Sequence, residues 1–110
     1  PKRLEIVDVK VLSNPKFIKS YPMDSPYGLG VVGSNLFICE GESGLKSFNI
    51  SNIDKIELNQ HLKDHNAFDV IALDDNLLLM VGKDGFYQYD FSDPKKLKQL
   101  SFLPVKKQGL

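Results

Sequence analysis

The chain has 110 residues, 42% hydrophobic and 25% charged, and its fourteen Lys and Arg balance fourteen Asp and Glu to a formal net charge of zero. That composition fits one small globular domain and excludes disordered or collagen-like material, and neutrality excludes a global field that would draw in nucleic acid or an anionic membrane. No apolar run nears the ~18 residues of a membrane span, and the lone Cys39 can neither close an intrachain disulfide nor hold zinc without other ligands.

In chain order, short runs rich in β-branched and aromatic residues alternate with Gly, Asn, Asp and Pro clusters, the punctuation of an all-β chain. The basic opening Pro1-Lys2-Arg3 leads into no signal-peptide core, so the chain reads as mature or truncated. Strands are expected at Leu4–Val9 and Lys16–Tyr21, then at Tyr27–Val32, Asn35–Glu40, Leu45–Asn49 and Ile56–Leu62. A final set is expected at Phe68–Leu73, Asn76–Val81, Phe86–Asp90 and Lys98–Leu103. Gly33-Ser34-Asn35 and Asp74-Asp75-Asn76 read as tight hairpins, because these residues tolerate or cap the required turns. The Gly41-x-x-Gly44 and Gly82-x-x-Gly85 turns are expected to supply positive φ between the second and third strands.

These elements repeat. An ungapped offset of 41 residues lays Asn35-Leu36-Phe37-Ile38-Cys39 on Asn76-Leu77-Leu78-Leu79-Met80, Gly41 and Gly44 on Gly82 and Gly85, and Phe48-Asn49-Ile50-Ser51 on Tyr89-Asp90-Phe91-Ser92. The second strands, Leu36-Phe37-Ile38-Cys39 and Leu77-Leu78-Leu79-Met80-Val81, lack polar alternation, which predicts burial on both faces. Four-stranded antiparallel sheets of this length, stacked on both sides, describe the blades of a β-propeller, about two and a half of them here. Residues 1–25 then form the rear part of a first blade, 26–66 a complete blade, and 67–110 a complete blade with a C-terminal tail. Because two and a fraction blades cannot close a ring of ~4–8, further blades or other copies of the chain are expected partners.

Leu4-Glu5-Ile6-Val7-Asp8-Val9 followed by Ser13-Asn14-Pro15 resembles the LVIVD repeat, and Phe86-Tyr87-Gln88-Tyr89-Asp90-Phe91-Ser92-Asp93-Pro94 resembles it with aromatic substitutions. Leu45-Lys46-Ser47-Phe48-Asn49-Ile50-Ser51-Asn52 is similar but carries Asn49 for the acid and Ile53 in place of the proline. The resemblance implies a propeller of bacterial envelope or cell-surface proteins, often lipid-anchored. The chain has no lipobox cysteine, so any membrane attachment would lie outside it.

Asp8, Asn49 and Asp90 each end a strand, where an Asx side chain takes free backbone N–H groups, and this reading is preferred to a metal site. His61 and His65 would pair on a helix, but the repeat puts His61 in an outer strand and His65 in a crossover, so no metal site is assigned. The two Gly-x-x-Gly runs lack the helix–loop–helix setting of nucleic-acid clamps, and Cys39 reads as core rather than nucleophile. Lys95-Lys96-Leu97-Lys98 and Lys106-Lys107 are too short for a polyanion groove, and lysines on an outer strand discourage edge pairing.

No catalytic constellation of recognisable spacing occurs, and no cofactor is implied. The ligand-binding candidates are Asp24, Ser25, Tyr27, His65, Asn66 and Asp69, because crossovers and inner-strand starts surround one mouth of a propeller channel. The expectation is a non-enzymatic binding scaffold for a protein, small-molecule or glycan ligand. The alternative is an enzyme whose acids and histidines gather from several blades, with His65 and Asp69 contributing here; a purely structural spacer is a third reading.

Overall fold

The computed structural model describes the backbone of residues 3–8, 16–22 and 27–105, and the side chains of residues 27–105. Ten strands and no helix occur among them. β1 (Arg3–Asp8) and β2 (Lys16–Pro22) pair antiparallel. β3 (Gly28–Val32), β4 (Asn35–Cys39), β5 (Leu45–Asn49) and β6 (Glu57–Leu62) form one antiparallel meander. β7 (Asp69–Ala72), β8 (Leu77–Val81), β9 (Gly85–Asp90) and β10 (Lys98–Pro104) form a second meander with the same strand order. The two four-stranded sheets stack face to face, and among the described residues no sheet closes into a barrel or ring.

The repeat extends to irregularities of the ladder. Ser47 faces Gln60 and Phe48 faces Leu58, which leaves Asn59 as the extra residue of a bulge. The same step skips Leu100 in β10 and Ile18 in β2, so the three bulges stand 41 residues apart. Asn49 Oδ1 accepts the Ser51 N–H at 2.8 Å, and Asp90 Oδ1 accepts the Ser92 N–H at 2.7 Å. These are the Asx turns expected from the sequence; the side chain of Asp8 lies outside the described residues.

One strand departs from the offset. Gly28 faces Cys39 in the first sheet, whereas its counterpart Asp69 faces Val81, not Met80. Likewise Leu36 faces Phe48, and Leu78 faces Tyr89. β8 therefore stands 42 residues from β4 while its neighbours keep 41, and the spatial partner of Cys39 is Val81. The cause lies in the turns. Val32 pairs with Asn35 across a two-residue loop, with Gly33 at φ +57, where a type II′ hairpin wants glycine. The second hairpin is wider: Leu73 N–H reaches Leu77 O, and Asp74 Oδ1 accepts from Asn76 and Leu77. The next turn gives the residue back, since Glu40 N–H bonds Gly44 O but Gly82 N–H bonds Gly85 O. The two Gly-x-x-Gly runs are thus different turns, and Gly82 lacks the positive φ expected of it, which Gly41, Gly44 and Gly85 have.

The core lies in the seam between the sheets. From the first sheet it takes Phe37, Cys39 and Leu45, with Leu62 packed on them; from the second it takes Val70, Leu78, Met80, Tyr87 and Tyr89, and Phe91 follows β9. Phe37 meets Phe91 edge-on at 5.0 Å between ring centroids. The other face of the first sheet is also buried, at Leu36, Ile38, Phe48 and Ile56, with Ile50 packed against them. β4 is therefore covered on both faces, as expected. β8 is not: Leu78 and Met80 are buried, but Leu77, Leu79 and Val81 are only half-buried because they point away from the seam.

Candidate binding cleft

The sheets approach most closely at their first strands. A Cβ on Gly30 would lie 3.2 Å from Val70 Cγ1, and one on Gly28 would lie 2.7 Å from Asp69 Oδ1, so glycine at both positions lets β3 lie against β7. Beside this contact, Gly41 N–H bonds Ala67 O at 2.7 Å and Ala67 N–H bonds Gly41 O at 2.9 Å. At the outer edge Gln60 Oε1 accepts the Leu97 N–H at 2.7 Å. The seam is tied at both edges as well as packed through its middle.

A cleft of ≈ 520 Å³ opens along one end of the seam, lined by Tyr27, Glu40, Glu42, Ser43, Asn66, Phe68 and Lys83. Its aromatic wall follows from the repeat. Tyr27 and Phe68 each precede a first strand, anchored by Tyr27 N–H to Cys39 O and Phe68 N–H to Val81 O, both 2.8 Å. Their rings meet edge to face at 5.3 Å. The Tyr27 ring also lies over Gly41, where a Cβ would come within 2.6 Å of Cε2. Glu40 is wholly buried, its Oε2 2.8 Å from Lys46 Nζ, which puts a charged pair beneath a wet surface.

A neighbouring hollow of ≈ 250 Å³ shares Glu42 and Ser43 and adds His61 and Lys63. His61 Nε2 lies 2.6 Å from Ser43 O; a carbonyl only accepts, so Nε2 carries the proton and holds the β4–β5 turn against β6. His65 stacks on Tyr87 at 4.0 Å, and Tyr87 in turn contacts Phe102. The two histidines therefore serve separate contacts. Burial, and then the nearby Asp84, push the Tyr87 hydroxyl up. Burial, with a smaller push from Asp69, raises Cys39 to about 12, so it remains a thiol rather than a nucleophile at neutral pH.

Of the six sequence-derived candidates, the structure brings Tyr27 and Asn66 into the cleft. His65 stands apart on Tyr87, and Asp69 Oδ1 accepts the Val70 N–H, capping its own strand. Asp24 and Ser25 lie outside the described residues. Sequence reasoning missed Glu40, Glu42, Ser43, Phe68 and Lys83. The missing signal was topological: in an antiparallel meander the turn after the second strand comes to the same end as the crossover after the fourth. A scan against protein-family models finds no match to this chain, and a search of the curated proteins finds none either.

Proposed function

We propose that the chain is a run of β-propeller blades acting as a non-enzymatic binding scaffold, with the seam cleft as its ligand site. The observation that carries this is the cleft itself, where two repeat-related aromatics form one wall and Glu42, Ser43, Asn66 and Lys83 supply both donors and acceptors. That mixture suits a glycan, whose hydroxyls donate and accept while its C–H faces pack on rings. The propeller reading rests on two sheets of equal strand order, stacked in the same sense and closest at their first strands. The envelope setting is the one implied by the LVIVD-like sequence pattern.

The test is to titrate the isotope-labelled chain with neutral oligosaccharides, chitotriose among them, and follow amide shifts. The reading predicts changes at Tyr27, Asn66, Phe68 and Lys83 that disappear in Tyr27→Ala. Shifts unaffected by that substitution, or confined to β8–β10, would contradict it.

A further inference from the structure

Each sheet has two apolar faces, and the repeat gives every residue on them a counterpart. Leu36, Ile38, Phe48, Ile50 and Ile56, which make up the cluster on one face of the first sheet, correspond to Leu78, Met80, Tyr89, Phe91 and Leu97. All five of those lie in or against the seam. The opposite face of the first sheet contributes Phe37, Cys39, Leu45 and Leu62 to the seam, and their counterparts are Leu79, Val81, Phe86 and Leu103. These four point away from the seam; Leu79, Val81 and Phe86 are half-buried and Leu103 is 65% exposed. The sheets thus stack front to back, a heterologous contact that leaves the same front face open on the last member.

We infer that the Leu79, Val81, Phe86 and Leu103 face is a docking surface for one further four-stranded unit of this repeat, presenting the side equivalent to Leu78, Met80 and Tyr89. The inference deepens the stacked-blade reading and does not depend on what the cleft binds. The occupant follows from continuity: the equivalent face of the preceding sheet is covered in this way. Two positions in the first strand differ. Gly28 and Gly30, which admit β7 closely, are replaced by Asp69 and Ile71, the latter half exposed, so the next unit's first strand must stand off by a side chain.

The experiment extends the full chain after Val105 by a second copy of residues 65–105, which keeps the 41-residue phase. The midpoint of thermal unfolding and the binding of an apolar dye are compared with those of the parent. The expected result is a midpoint higher by at least about 5 °C and loss of most dye fluorescence. The same extension with Leu78→Lys and Met80→Lys in the appended copy should restore both parental values. A folded extension that leaves midpoint and dye binding unchanged overturns the inference. So does a parent chain that binds no dye because it sediments as a dimer, with β8 and β9 amides losing their protection on dilution, since a second copy would then be the occupant. Should the extension not fold, Leu79→Ser with Phe86→Ser in the parent decides: reduced dye binding supports an open face, and unchanged binding overturns it. Glycan shifts at Tyr27 and Phe68 report the cleft separately.

Discussion

Tyr27 and Phe68 occupy the same position in successive repeats and meet edge to face across the seam, with ring planes at 86°. The 41-residue period therefore does more than copy a sheet; it brings the aromatic rings of one repeat position into contact. An edge-to-face pair is worth about 1 kcal/mol beyond the area it buries. A double-mutant cycle with Tyr27→Ala and Phe68→Ala, read by denaturant unfolding, should return a coupling of about that size. Strict additivity would show that the rings do not touch in solution.

The glycines separate conformational cost from steric cost. Gly33 has φ +57 with open space around it, so Gly33→Ala should cost about 1–2 kcal/mol through the left-handed backbone alone. Gly44 has φ +91, and its Cβ would collide with Leu62 O; the Cβ of its counterpart Gly85 would collide with Leu103 O. Gly44→Ala should therefore cost clearly more than Gly33→Ala, and Gly85→Val should prevent the β9–β10 pairing. Equal midpoints for Gly33→Ala and Gly44→Ala would argue against the close approach.

Much of this was legible in the sequence because turn chemistry and apolar phase are local properties. Asn49, Asp90 and the paired glycines announced the strand ends, and the unbroken Leu36–Cys39 run announced a doubly covered strand. The slip of β8 was not legible. Gly41 and Gly82 align in sequence, and only the ladders reveal that one turn has gained a residue and the next has lost one. The cleft was legible at only two of its seven lining residues for a similar reason: Tyr27 and Asn66 belong to segments whose position the repeat dictates, whereas Ser43 and Lys83 sit on turns whose paths differ between the copies.

Ser47 is buried in the seam, and its hydroxyl has no hydrogen-bond partner. An unsatisfied buried polar atom carries a desolvation cost of about 1–3 kcal/mol. Ser47→Ala should accordingly leave the unfolding midpoint unchanged or raise it. A clear loss of stability would mean that the hydroxyl is bonded.

Alkaline pH should unfold the protein through its core. Burial first, then Asp69, raises Cys39 from 9.0 to about 12, and burial, then Asp64 and Tyr87, raises Tyr89 from 10.0 to about 12. A folded state that holds these protons more tightly than the unfolded chain is fully stabilised below pH 9 and loses that stabilisation as pH climbs towards 12. Thiol labelling of Cys39 and the last tyrosinate absorbance should appear together with loss of β-sheet circular dichroism. Labelling at pH 8 with the fold intact would contradict a seam-buried Cys39.

The most direct test of same-sense stacking is a nuclear Overhauser experiment on the labelled chain. Cross-peaks are expected between the Gly30 Hα and the Val70 methyls and between the Phe37 and Phe91 rings, alongside the β3–β4 and β7–β8 ladder peaks. Ladder peaks in both sheets without the Gly30–Val70 and Phe37–Phe91 peaks would contradict it.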